Sequence, residues 1–240
     1  MNNTVYQISL FGATFEGLLN GITTLNKIDE FGNFGIGGIE GLEGEITLYN
    51  DMYYVSDYNF NRKKYDVSEN EISTPKMCLT MFSDIKKVNF SKKMSLNELV
   101  ECIKYHFGNI NLFAAIKISS KLASIKLLSY PKSQHPYPKI EELVTRKHIC
   151  EYKNIDGSLI GFIYPKLMSP ITGPEFHFHF IGNSLNIGGH VLSCEIENAS
   201  VEVSIKDRLR IYLPEHDEFE KISINNPIER LNNVISLINN

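Results

Sequence analysis

EFHFHFIGNSLNIGGHVL, residues 175–192, carries three of the chain's seven histidines. Side chains on a β-strand alternate faces at a rise of about 3.3 Å per residue, so His177 and His179 point the same way, about 7 Å apart at the backbone. Phe176, Phe178 and Phe180 point the other way. One face is a core stripe, and the other offers two imidazoles. Residues 183–189, with Asn186, Gly188 and Gly189 near their end, read as a turn that returns the chain and brings His190 alongside from a neighbouring strand. Three neutral imidazoles with an open position are the ligand set of a catalytic zinc, which polarises a bound oxygen as a Lewis acid.

An H-x-H pair alone also occurs on strand surfaces that hold no metal; His190 beyond the glycine turn is what favours an ion. A cupin-like site would open with the same H-x-H, but it calls for a glutamate a few residues on, where Asn183 and Ser184 stand.

The rest of the chain bounds the class. At 240 residues, 42% hydrophobic and 22% charged, it can bury one large core or two modest ones, which excludes disorder and fibres. A net charge of −4, with lysines and glutamates interspersed, supplies no basic stripe for a phosphate backbone, so no nucleic acid is expected as a partner. No apolar run approaches the ~20 residues of a membrane span, and the N-terminus MNNTVYQISL lacks the pattern of a signal peptide. A cytoplasmic protein is expected. Cys78, Cys102, Cys150 and Cys194 are scattered without C-x-x-C spacing, which points to reduced, mostly buried thiols. Cys194, near the histidines, reads as buried ahead of any role as a ligand.

Residues 5–10 read as a first strand, and Phe15, Leu18, Leu19, Ile22 and Leu25 recur at helical spacing after a Thr14 cap, weakened by Gly17 and Gly21. A β-meander follows over 35–39, 45–49 and 52–55, then a polar loop over 57–73, a strand over 77–82 and a lysine-rich connection. Residues 95–107 form the clearest helix, opened by a Ser95/Glu98 capping box and ended by Gly108. Strands are expected at 112–118, 123–130, 159–164, 176–181, 190–196, 201–205 and 209–213, with a short helix at 140–145 and a last helix at 227–238. Because βαβ alternation is missing, the pattern gives an α+β protein with mainly antiparallel sheets. The three prolines of residues 131–138 make that segment the best linker, dividing a β-rich half at 1–130 from a half at 131–240 that carries the histidines, unless it only joins two parts of one unit.

GIGGIEGLEGE (35–45), NLFAAI (111–116), GSLIGFIYP (157–165), HFHFI (177–181) and GGHVL (188–192) stand in the order and spacing of the α-acetolactate decarboxylases, which the chain resembles over nearly its whole length. The resemblance implies an α+β fold of antiparallel and mixed sheets in two related halves with a few helices, commonly a homodimer. It implies Zn2+ held by His177, His179 and His190, and conversion of the small-molecule substrate 2-acetolactate to acetoin and CO2. Loss of CO2 from a carboxylate β to a ketone leaves an enediolate, so a nearby cation and a positioned acid are both required. Glu45 matches a glutamate that the family places at the zinc pocket, and proton handling is assigned to it.

The chain departs from the family inside the expected pocket. Leu128 stands where the family has an arginine suited to grip a carboxylate, and no arginine occurs between Arg62 and Arg146. Lys126 shares a strand face with position 128, which makes it the candidate for carboxylate contact; the other reading is a solvated lysine. A glutamate of the family's tail is replaced by Leu237 or Val234, and a threonine by Gly38. These changes leave two further readings, an enzyme acting on a different hydroxy-ketone or β-keto acid and a non-catalytic metal-binding homologue.

Overall fold

The computed structural model describes residues 3–68, 71–108 and 111–239. Its strands are β1 (Thr4–Ile8), β2 (Thr23–Thr24), β3 (Phe34–Gly38), β4 (Gly44–Tyr49), β5 (Met52–Asp57), β6 (Arg62–Tyr65), β7 (Ser73–Thr74), β8 (Lys76–Thr80), β9 (Lys86–Phe90), β10 (Met94–Ser95), β11 (Phe113–Ser129), β12 (His148–Ile163), β13 (Phe176–Gly182), β14 (Gly188–Lys206) and β15 (Arg208–Tyr212). The helices are α1 (Phe11–Phe15), α2 (Leu25–Ile28), α3 (Leu96–Phe107), α4 (Ile140–Val144), α5 (Ser169–Thr172), α6 (Asp217–Lys221) and α7 (Pro227–Asn239).

Strands β15, β1, β8, β3, β4, β5 and β6 pair in that order as one sheet. A second sheet runs β10, β14, β11, β12, β13, with β9 also against β14. The β1–β15 pair is parallel, and the other pairings within the two sheets are antiparallel, as an α+β fold of mainly antiparallel sheets requires. Strand β13 returns to pair with the first residues of β14, so β14, β11, β12 and β13 close a ring of pairings. Each sheet draws strands from both sides of residue 131: β15 belongs to the first, and β9 to β11 belong to the second.

Alternation assigns each face its neighbour. Val5, Phe34 and Ile36 of the first sheet meet Ala115, Ile160 and Phe162 of the second in the core between them. The opposite face of the second sheet is covered by α3, whose Leu96, Leu99, Val100 and Ile103 are all buried. Each such side chain contributes about 1.5–3 kcal/mol by leaving water. The Ser95/Glu98 capping box that opens this helix is present in both directions. Helices α1, α4 and α7 pack together through Phe15, Leu143, Leu231 and Val234.

The structure differs from the sequence reading in several places, among them the strand expected at 159–164, which begins at His148. The helix expected from Thr14 to Leu25 does not form: α1 lies earlier, Gly17 takes φ +84, and the chain turns there. Leu18, Leu19 and Leu25 are buried all the same, Leu25 as the first residue of the separate helix α2, so the spacing marked burial and not one continuous helix. The strands expected at 112–118 and 123–130 are one strand, as are those at 190–196 and 201–205. Polar residues there pair across the sheet where the sequence reading left a gap between strands: Ser119 faces Ser158 and Ser200, and the Ser120 hydroxyl donates to the Asn198 carbonyl. Last, the polar segment 57–73 includes β6, an edge strand of charged residues, and the lysine-rich connection includes β9. Charged edges of this kind discourage pairing with other chains.

Candidate metal centre

Strand β13 holds His177 and His179 on the face turned toward the first sheet, while Phe178 and Phe180 enter the core beneath α3. Beyond the turn, Gly189 of β14 takes a φ of +148 that suits a residue without Cβ, and the register then sets His190 directly across from His179. His177 Nε2 and His190 Nδ1 are 2.9 Å apart, and one donor atom from each of the three imidazoles lies within 4.8 Å of the others. The structure thus brings together the three histidines singled out in the sequence. Cys194 is buried in the core under α3 and is not part of this cluster.

Strand β13 can sit this close to β12 because Gly161 has no side chain. A Cβ there would come 2.0 Å from the His177 carbonyl oxygen and within 2.8 Å of Phe178. Gly161→Ala is therefore expected to push β13 outward, lowering stability by about 1–3 kcal/mol and weakening metal retention. Thermal melts with and without Co2+ check this; a variant that melts and binds like the parent would show that β13 shifts freely.

Strand β4 of the first sheet supplies the opposite wall. Its Ile46 and Leu48 enter the outer core, while Glu45 and Thr47 face the histidines. His179 is fully buried, and its Nδ1–H donates to the Ile46 carbonyl at 2.9 Å, with Thr47 Oγ1 3.3 Å away. That bond fixes the tautomer and leaves a lone pair on Nε2. Glu45 Oε2 lies 3.3 Å from Nε2, yet this nitrogen has no hydrogen-bond partner. A buried acceptor without a donor is the cost that a bound cation would remove.

Electrostatics agree with that reading. Burial, the neighbouring imidazoles and the Lys76 charge hold His177 and His179 well below the ordinary histidine range. Burial and Lys76 bring His190 down to about 4. All three are thus neutral near pH 7, the state in which imidazole binds metal. Burial raises Glu45 to about 7, against the opposing charge of Lys76. The cluster could hold a metal ion, and Glu45 is a carboxyl group able to take or give a proton beside it.

These groups open onto a cavity of about 1000 Å³. Glu45, Lys76, His177 and His190 give it polar groups; Phe11, Phe15, Leu42, Leu231, Val234 and Ile238 give it apolar walls. Leu128 is buried directly across from His190, and Lys126 lies further out on the same face, exposed at the mouth and opposite Glu151. Val234 of α7 faces the cavity, whereas Leu237 is 46% exposed outside it. A Cβ at Gly38 would meet nothing nearer than 3.6 Å, so the position left empty there opens into the cavity. Sequence reasoning missed Thr47 and Lys76. Thr47 could have been found two residues after Glu45 on the same strand face; Lys76 had no local signal.

Comparison with known proteins fits this geometry to a family. The family model described as Alpha-acetolactate decarboxylase matches residues 5–226. The alpha-acetolactate decarboxylase of Brevibacillus brevis is 30% identical over 217 residues, covering 90% of this chain and 75% of its own length. That of Methanosarcina mazei is 28% identical, covering 91% and 75%. The crystal structure of alpha-acetolactate decarboxylase from Bacillus subtilis strain 168 superposes with a TM-score of 0.90 at 25% identity, over 97% of this chain and 98% of that one. A Staphylococcus aureus protein of unknown function similar to alpha-acetolactate decarboxylase gives 0.88 at 25% identity, over 97% and 100%.

Proposed function

The chain belongs to the alpha-acetolactate decarboxylase family, whose named members are decarboxylating lyases, and on that premise we propose that it converts 2-acetolactate to acetoin and CO2 with zinc held by His177, His179 and His190. The observation that carries the reading is the convergence of three neutral imidazoles with Glu45 in one cavity. A divalent cation in that site supplies positive charge where the anion develops as CO2 departs.

The chain's own groups do the rest. The Ile46 carbonyl orients His179, and the core stripe of β13 holds His177 in register with it. The C–C bond to the carboxyl carbon breaks, its electron pair moves onto the neighbouring carbonyl, and the resulting enediolate takes one proton at carbon to give acetoin. Glu45 Oε2, 3.3 Å from His179 Nε2, is the group we assign to deliver that proton. The apolar walls from α1 and α7 exclude water around the reacting carbons. A homodimer, taken from the family resemblance, and a cytoplasmic location, expected from the sequence, are part of the same reading.

Metal-loaded protein mixed with 2-acetolactate is expected to form acetoin far above the spontaneous rate. Chelation should remove that activity and added Zn2+ restore it, with the resident metal identified by emission spectroscopy. Acetoin at the background rate only would sink the reading. Leu128 beside His190 favours one alternative, a relative that enolises a different hydroxy-ketone; it predicts solvent deuterium exchange into that ketone without acetolactate turnover.

A further inference from the structure

Lys76 begins β8 immediately after Pro75 and is half-buried inside the cavity. Its register places it opposite Gly38 on β3, and Gly38 is in turn opposite Glu45 on β4. Residues in one such row share a face of the sheet, so Lys76 and Glu45 stand on either side of Gly38 at a backbone separation of about 10 Å. Gly38 puts no side chain between them, and the space above it is open to at least 3.6 Å. The Lys76 ammonium lies 4.3 Å from the centroid of the Phe11 ring, and its charge bears on all three imidazoles and on Glu45.

Among the described residues no carboxylate forms an ion pair with Lys76. Of the other acids at the cavity wall, Glu101 and Glu175 pair with Lys104, and Glu175 also with Lys166. Withdrawing an ammonium from water is costly unless an anion meets it. The ring of Phe11 offsets only part of that cost. Lys126 faces no such demand, because it is exposed to solvent at the mouth.

We propose that Lys76 receives the carboxylate of the substrate in the gap above Gly38, and so makes the site select 2-hydroxy-3-keto acids over the corresponding neutral hydroxy-ketones. This rests on the function proposed above and deepens it. The carboxylate role moves from Lys126, where strand parity put it, to Lys76. A cation at the carboxylate strengthens binding of the acid and gives no help in breaking the bond that releases CO2, so its loss shows as a raised KM.

The test is titration calorimetry on metal-loaded protein with a non-reacting probe, 2,3-dihydroxy-2-methylbutanoate, and with its neutral amide. Lys76→Met is expected to weaken the acid about 10- to 100-fold, the range for a lost charge-assisted contact, and to leave the amide unchanged. Lys76→Arg should restore most of the preference, Lys126→Met should cost far less, and acetolactate turnover by Lys76→Met should show a raised KM. Metal content and circular dichroism of each variant confirm an intact site and fold. An unchanged acid affinity in Lys76→Met, an equal loss on acid and amide, or a larger loss in Lys126→Met overturns the assignment. Acetoin production by the parent with no effect at Lys76 overturns this inference alone. Acid preference that depends on Lys76, with no acetoin formed, supports it and overturns the proposed reaction.

Discussion

Replacing His177 with alanine is expected to empty the metal site and return acetoin formation to the spontaneous rate, while the protein still folds. His177 supplies one of three ring nitrogens within 4.8 Å of one another, and its Nε2 is 2.9 Å from that of His190 Nδ1. Losing a group that merely orients a ligand costs about 10- to 100-fold in metal affinity, so losing a ligand should cost at least ~100-fold. The fold is at less risk than at His179, which is fully buried and bonded to the Ile46 carbonyl. His177 is half-buried on the cavity face, and the apolar side chains of β13, Phe178 and Phe180, pack on the other face untouched. The variant should therefore melt close to the metal-free parent, not below it. Metal analysis after gel filtration, a thermal melt and an acetoin assay decide the matter together. Full metal occupancy with parental turnover would remove His177 from the site.

This result bears on what the sequence could and could not reveal. Strand parity and a glycine turn are local, and they were sufficient to bring His177, His179 and His190 together, because the register of β13 against β14 follows from a short turn. The capping box at Ser95 was legible for the same reason. Lys76 was not legible. Its position depends on β8 lying against β3 and β3 against β4, so residues 38 positions apart in sequence, Gly38 and Lys76, must first be known to pair. Helical spacing over Phe15 to Leu25 misled because Leu18 and Leu19 are buried from a turning backbone and Leu25 from the start of the separate helix α2, so the spacing carries no information about one continuous helix. Ser119 and Ser120 looked like an interruption because their polar partners, Ser158, Ser200 and Asn198, come from distant strands.

Glu45→Gln is expected to lower turnover of acetolactate by about 10² to 10⁴, the usual worth of a positioned proton carrier, with the metal retained. Glutamine keeps the shape of the side chain and removes both its charge and its ability to give up a proton. No cavity is made, and β4 keeps the pairing at Gly38 and Ser56 that holds position 45 in place. Oε2 of Glu45 lies 3.3 Å from a nitrogen of His179 that has no hydrogen-bond partner. An amide at that position can donate to the free lone pair and compete with an ion for it, so metal content has to be measured beside the rate. If occupancy is parental and the rate has fallen, the loss lies in proton delivery; if the two fall together, Glu45 supports the ion. A third readout separates carriage of the proton from simple electrostatics. A carrier sets the face on which the proton arrives, so the residual acetoin made by Glu45→Gln should lose enantiomeric purity, whereas a carboxylate acting only through its charge would leave a slower reaction with unchanged stereochemistry. Parental rate with parental optical purity would exclude Glu45 from the chemistry and leave the proton to solvent or to another group lining the cavity, of which Tyr130, half-buried and within reach of the Glu45 charge, is the first to replace.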